Sequence, residues 1–77
     1  MLVTAKVENP LNDYTANKEN NHEVTLAEGA TVRSLIINLK IPAGEVGMVI
    51  INDIFSDKTS PLKDGDIVQL YPMLEGG

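Results

Sequence analysis

The residues with the clearest chemical potential are Gly76 and Gly77, which close the sequence. A chain that ends in two glycines presents its carboxylate with no side chain nearby, so it can enter a narrow channel. An enzyme that activates a carboxylate with ATP must bring the carboxyl carbon in line with the α-phosphate, and side chains at these two positions would clash there. The pattern predicts that Gly77 reacts and that Gly76 gives it access. The alternative is an ordinary frayed terminus or a cloning remnant.

Other reactive groups are scarce. The chain has no cysteine, which excludes disulfides, thiolate metal sites, iron–sulfur clusters and a cysteine nucleophile. His22 is the only histidine and has no second imidazole beside it for a metal or base role. Asp64 and Asp66 flank Gly65, but the spaced oxygen ligands of a calcium loop are missing. We expect no metal or cofactor here, and any ATP must be bound by a partner because the chain lacks a glycine-rich phosphate loop.

Large apolar side chains shortly before the glycines predict a docking surface. If Val68 and Leu70 face the core, their neighbours along the last strand face the opposite side of the sheet. Exposed apolar groups next to a mobile tail are costly unless they bind a partner. Ordinary edge packing is the competing interpretation. The predicted partner-binding residues are Ile67, Tyr71, Met73 and Leu74.

The elements that must position these groups follow from hydrophobic periodicity. Residues 1–8 alternate as a half-buried strand, with Val3, Ala5 and Val7 on one face. Residues 22–26 alternate as the hairpin partner of that strand. Between them, residues 9–21 are polar and predict a solvated connection.

A helix is predicted after the hairpin. Thr31 offers an N-cap oxygen, and Pro42 ends the helix because the residue before a proline avoids helical geometry. The apolar stripe of this helix falls at i, i+3, i+4 and i+7 and consists of Val32, Leu35, Ile36 and Leu39.

The remaining segments complete a sheet. Residues 48–51 are apolar on both faces, which predicts a central strand, and residues 54–55 form a short edge segment. Gly65 is predicted to adopt a positive φ in a tight turn before the last strand, residues 67–71. A hairpin, a helix and further strands place the helix on one face of a mixed sheet of four to five strands. This is an α+β fold of the β-grasp, or ubiquitin-like, type.

The whole chain of 77 residues is long enough for one domain. We assign residues 1–72 to the β-grasp domain and residues 73–77 to a flexible tail that ends in Gly-Gly. The net charge of −5 has the wrong sign for a nucleic-acid-binding surface. The longest apolar stretch is far shorter than the roughly 20 residues that span a bilayer, and no signal segment is evident. We expect a cytoplasmic protein with neither nucleic acid nor membrane as a partner.

The last thirty residues combine a tight turn, a strand, a proline and terminal glycines, in the order 61–66 (PLKDGD), Val68, Leu70, Pro72 and Gly76-Gly77. This combination resembles the MoaD and ThiS family of sulfur carriers. The resemblance implies a protein cosubstrate rather than an enzyme, whose C-terminal glycine is adenylated by an ATP-dependent partner and converted to a thiocarboxylate.

The same resemblance implies what the carrier works with. The thiocarboxylate would donate sulfur in cofactor biosynthesis, either to the dithiolene of molybdopterin or to the thiazole of thiamin. The implied partners are the adenylating enzyme, a sulfur-accepting synthase subunit and a sulfur donor such as a cysteine desulfurase or a rhodanese-type protein.

Two rival functions stay open from the sequence. A ubiquitin-like modifier would join Gly77 to a lysine of a target protein. It would differ from a sulfur carrier only in the nucleophile that finally attacks the activated carboxyl carbon. A plain binding module would dock through its sheet, and its terminal glycines would be incidental.

Overall fold

The structure is a computed structural model that describes residues 1–73. Three predicted functional residues, Leu74, Gly76 and Gly77, lie outside the described residues, as does most of the predicted tail. Within residues 1–73, no helix is long and apolar enough to cross a membrane. The elements of this part of the chain are β1 (Leu2–Val7), β2 (Asn21–Thr25), α1 (Val32–Asn38), β3 (Val46–Ile51), β4 (Ile54–Ser56) and β5 (Ile67–Pro72).

The strands form one mixed sheet in the order β2-β1-β5-β3-β4. β1 and β5 are parallel, whereas β1 and β2, β3 and β5, and β3 and β4 are antiparallel. With α1 against one face, this is the predicted ubiquitin-like β-grasp arrangement. The prediction that residues 48–51 form the central strand was wrong, because β5 inserts between the two hairpins and β3 lies one place from the edge. Apolar residues on both faces of a strand cannot distinguish these two positions.

The core lies between the sheet and α1. The predicted inward residues of β1, namely Val3, Ala5 and Val7, are at most 1% exposed. Val68 and Leu70 of β5 are fully buried in the same cluster. The helix adds the predicted stripe of Val32, Leu35, Ile36 and Leu39. Burying each large aliphatic side chain contributes about 1.5–3 kcal/mol, which makes this stripe the main reason that a short helix is stable.

The helix begins where predicted but ends earlier. The Thr31 N–H donates to Ser34 Oγ at 3.1 Å, which satisfies one backbone donor at the start of the helix. At the other end, Lys40 has a φ of 64°, so the chain leaves the helix before Pro42. This turn allows Ile41 to enter the core, where it is 4% exposed.

The connection between β1 and β2 is more structured than predicted. A 3₁₀ turn spans Leu11–Tyr14, and Leu11 is 2% exposed. The Thr15 hydroxyl donates to the Asn12 carbonyl at 2.8 Å and ends this turn. Leu11 and Thr15 are the buried residues of this connection, and two isolated buried positions produce no periodicity in the sequence.

Candidate functional site

The end of β5 is the site from which the chain continues toward the glycines. Backbone hydrogen bonds hold this end on both sides. The Glu8 N–H donates to the Leu70 carbonyl at 2.9 Å, and the Met73 N–H donates to the Glu45 carbonyl at 2.8 Å. The backbone is thus anchored as far as Met73, four residues before the end of the sequence.

Gly47 packs directly against this anchored end. A Cβ atom at Gly47 would lie 2.7 Å from Met73 Cα and 2.8 Å from the Pro72 carbonyl oxygen. The register between β3 and β5 also shifts between Val46 and Met48, so Gly47 lies at a bulge. Gly47 lies one residue before the strand predicted at residues 48–51, and the structure includes it in β3. A glycine that immediately precedes an apolar strand is the signal that could have revealed the close backbone approach.

The sheet has an open face, defined here as the side away from α1. The structure places Ile67 and Tyr71 on this face, opposite Val68 and Leu70, as predicted. Ile67 is 44% exposed, whereas Tyr71 is half-buried. Met73 is 53% exposed beside Gly47, and Leu74 lies outside the described residues.

Sequence reasoning missed further apolar residues of the open face. Met48 lies opposite Tyr71, and Ile50 lies between Gln69 and Phe55 across the two neighbouring strands. Phe55 is the only phenylalanine of the chain, and it is 76% exposed. This exposure is unusual because phenylalanine side chains are mostly buried. A signal was present, because Asn52-Asp53 between apolar runs indicates a two-residue hairpin and fixes which residues are opposite each other. Both turn residues have positive φ, 49° and 69°.

A groove of about 480 Å³ opens at the end of β5, and we call it the β5-end groove. Its lining includes Glu8, Gly47, Met48, Tyr71, Pro72 and Met73. A second depression on the other side of Met73 is bordered by Asp13 and Glu45. Within residues 1–73, none of these carboxylates forms an ion pair. The groove therefore combines an apolar floor with the carboxylate of Glu8, and two further carboxylates border the neighbouring depression.

Asp66 and His22, which the sequence singled out, form local hydrogen bonds. The Asp66 carboxylate accepts from Asn52 Nδ2 at 2.9 Å and from the Lys63 N–H at 2.8 Å, which stabilises the predicted turn at Gly65. Gly65 has a φ of 87°, as the turn requires. His22 contacts the Glu19 carbonyl at 2.8 Å. In residues 1–73, no group of three or more potential metal ligands comes together.

The Asp57 carboxylate has a lowered pKa. Hydrogen bonds from the Thr59 hydroxyl at 2.6 Å and from the Thr59 N–H at 2.8 Å lower the pKa of Asp57. These contacts stay within the turn after β4. Asp57 is therefore a turn-forming residue and not a candidate acid or base.

The sequence profile of the family described as Mut7-C ubiquitin matches residues 1–76. The chain belongs to the Mut7-C ubiquitin family. This membership agrees with the five-stranded β-grasp sheet and with the predicted kinship to MoaD-type proteins. No curated protein matches this member of the Mut7-C ubiquitin family.

Solved structures similar to this Mut7-C ubiquitin protein include small proteins of the same fold. A protein from Pyrococcus furiosus named for subunit 1 of molybdopterin converting factor has 24% identity and a TM-score of 0.74, over 96% of this chain and 99% of that one. SAMP1 from Haloferax volcanii has 16% identity and a TM-score of 0.70 over the full length of both chains. A chain from the complex of subunits 1 and 2 of molybdopterin-converting factor from Helicobacter pylori has 28% identity and a TM-score of 0.63, also over both full lengths.

Proposed function

We propose that this protein is a sulfur carrier whose Gly77 carboxylate is adenylated by a partner enzyme and converted to a thiocarboxylate. The carrier is a cosubstrate, and the catalytic groups belong to its partners. The observation that carries the proposal is the anchored end of β5, where Glu45 and Gly47 hold Met73 four residues before Gly77. Four residues reach at most about 14 Å, enough to enter an active site on a protein docked against the sheet.

The chemistry requires a free carboxylate on Gly77. One carboxylate oxygen attacks the α-phosphorus of ATP, pyrophosphate leaves, and an acyl-adenylate forms. Hydrosulfide then attacks the carbonyl carbon, the bond to AMP breaks, and the thiocarboxylate remains. A persulfide donor gives an acyl disulfide instead, which a further thiol must cleave. Gly76 contributes by keeping the approach to this carbon free of side chains.

The partners are proposed from the fold and the comparisons. The Helicobacter pylori structure pairs a similar chain with subunit 2 of molybdopterin-converting factor, which supports a synthase subunit as the sulfur acceptor. The transfer is therefore proposed to be of the molybdopterin type, with the thiazole of thiamin as the other acceptor class. An ATP-dependent adenylating enzyme activates the carrier, and a cysteine desulfurase or rhodanese-type protein supplies the sulfur.

Docking is assigned to the open face and to the end of β5. Ile67, Tyr71 and Met73 present apolar surface there, and Leu74 follows Met73 directly in the sequence. Tyrosine is effective at such contacts because it combines a large rigid ring with a hydroxyl. Met48 and Phe55 extend the same surface.

The proposal is tested by mass spectrometry of the protein from its native host and after incubation with the adenylating enzyme, ATP and sulfide. A gain of about 16 Da is expected on fragment ions that contain Gly77 but not Met73, which separates it from methionine oxidation. The matched control is the chain without Gly77, which must stay unloaded. Loading of that shortened chain contradicts the proposal. A fragment with Gly77 joined to a lysine would instead identify a protein modifier.

A further inference from the structure

We infer that the β5-end groove seats an apolar side chain of the adenylating partner, and that Glu8 and Glu45 pair with lysine or arginine on the same partner surface. This inference rests on the proposed function. It adds the chemistry of the partner surface that surrounds the entry of the C-terminal residues.

The apolar part of the argument is the exposure around the groove. Met48 and Met73 are 37% and 53% exposed, and Tyr71 stands opposite Met48 across the paired strands. Methionine is common at surfaces that adapt to a partner, because its unbranched side chain fits irregular shapes. An inserted side chain would remove all three residues from water at once. Such burial near the centre of an interface supplies most of its binding energy.

The charge around the groove decides what kind of partner fits. Glu8 lines the groove, while Glu45 accepts the Met73 N–H with its carbonyl and lines the neighbouring depression. Asp13 borders the depression on the other side of Met73. Lys6 lies two residues before Glu8 but forms no ion pair with it within residues 1–73, and Lys58 borders a third depression beside Met73 together with Asp57. The excess of carboxylates favours a cationic partner surface.

Two measurable properties follow from this arrangement. Charged groups at an interface margin mainly speed association, and salt screens their effect. An apolar contact does not depend on salt in this way. The charged and apolar parts of the inferred contact are therefore separable in one kinetic experiment.

The experiment measures ATP–pyrophosphate exchange catalysed by the native host's adenylating enzyme, with the full-length protein as the varied substrate. We expect Glu8→Lys/Glu45→Lys to lower kcat/KM at least about tenfold at low salt, and the loss to shrink at about 0.5 M salt. The control Glu19→Lys/Glu28→Lys changes the net charge equally, at exposed loop positions on either side of β2. Glu8→Gln/Glu45→Gln gives a milder test should the reversed charges impair folding.

The apolar seat is tested with Met48→Ser, whose KM should rise at both salt concentrations. Ile37→Ser is the control, because Ile37 is 69% exposed on the helix and thus on the other side of the protein. The inference is overturned if the charge-reversed variant and its control have the same kcat/KM, or if Met48→Ser and Ile37→Ser have the same KM. In either case, exchange with the unaltered protein still supports the proposed function. If the unaltered protein supports no exchange, both are overturned.

Discussion

A Cβ atom on Gly47 would lie only 2.7 Å from the Cα atom of Met73. The contact joins the start of β3 to the residue that follows β5. It explains how the last anchored residue of the sheet stays close to Glu45, whose carbonyl accepts from the Met73 N–H. Gly47 therefore permits the close approach of the two backbones that places Met73 at the end of the sheet.

The first prediction concerns this contact. Gly47→Ala should lower the free energy of unfolding by about 1–3 kcal/mol, because the added methyl group forces two backbones apart. It should also slow adenylation, since Met73 is displaced. The matched control is Gly44→Ala, where a Cβ would meet no atom within 4 Å. Urea unfolding and pyrophosphate exchange measure the two effects, and equal behaviour of the variants would contradict the assigned role of Gly47.

The second prediction concerns access to the reacting carboxylate. Gly76→Val should lower the rate of adenylation by about 100-fold, because a misplaced carboxyl carbon loses its alignment with the α-phosphate. Stability should be unchanged. Glu75→Ala tests the neighbouring position and should retain most of the activity. A Gly76→Val protein that is adenylated at the normal rate would argue against a narrow channel.

The third prediction concerns the open face. Phe55→Ser should change the free energy of unfolding by no more than about 0.5 kcal/mol, because the side chain is 76% exposed. The KM of the carrier for its partner should nevertheless rise. Ile37→Ser removes a similarly exposed residue from the helix and should leave KM unaltered. Identical KM values for the two variants would place the docking surface elsewhere.

The fourth prediction concerns the turn before β5. Asp66→Ala should lower the free energy of unfolding by about 1–3 kcal/mol, because the side-chain amide of Asn52 and the N–H of Lys63 lose their acceptor. Glu23→Ala, which removes an exposed carboxylate on β2, serves as the control in the same denaturant titration. A loss no larger than that of the control would show that water replaces the carboxylate.

The fifth prediction concerns pH. Hydrogen bonds from Thr59 lower the pKa of Asp57 below its ordinary value of 3.8. A lowered pKa in the folded state stabilises the fold above the unfolded value, and this contribution is lost as the pH falls through the folded value. Thr59→Val removes the hydroxyl donor and should move the pKa of Asp57 upward. Carboxyl titration by NMR measures the shift, and an unchanged Asp57 would rule out the Thr59 hydroxyl as its cause.

Much of the fold was predictable because local periodicity and tertiary burial agree. Alternation identified Val3, Ala5 and Val7 as inward-facing, and spacing identified the buried stripe of α1. Turn chemistry located the positive φ of Gly65. The 3₁₀ turn around Leu11 was not predictable in the same way, because Leu11 and Thr15 are isolated buried residues in a polar segment.

The candidate site was only partly predictable. Ile67 and Tyr71 were identified from their alternation with Val68 and Leu70, and Met73 was identified because it lies close to the glycines. Phe55 and Met48 were missed, because they join that surface through pairings across β3, β4 and β5.

The sequence by itself determined the β-grasp element pattern, the inward faces of the strands and helix, and the two glycines on which the proposed chemistry depends. These properties are encoded by residue type and spacing within short segments. Only the tertiary structure decided that β5 is the central strand, that Gly47 packs against Met73, and that Glu8 and Met48 share a groove. Each of these depends on which strands pair across long separations in the chain, and hydrophobic periodicity is the same for many such pairings.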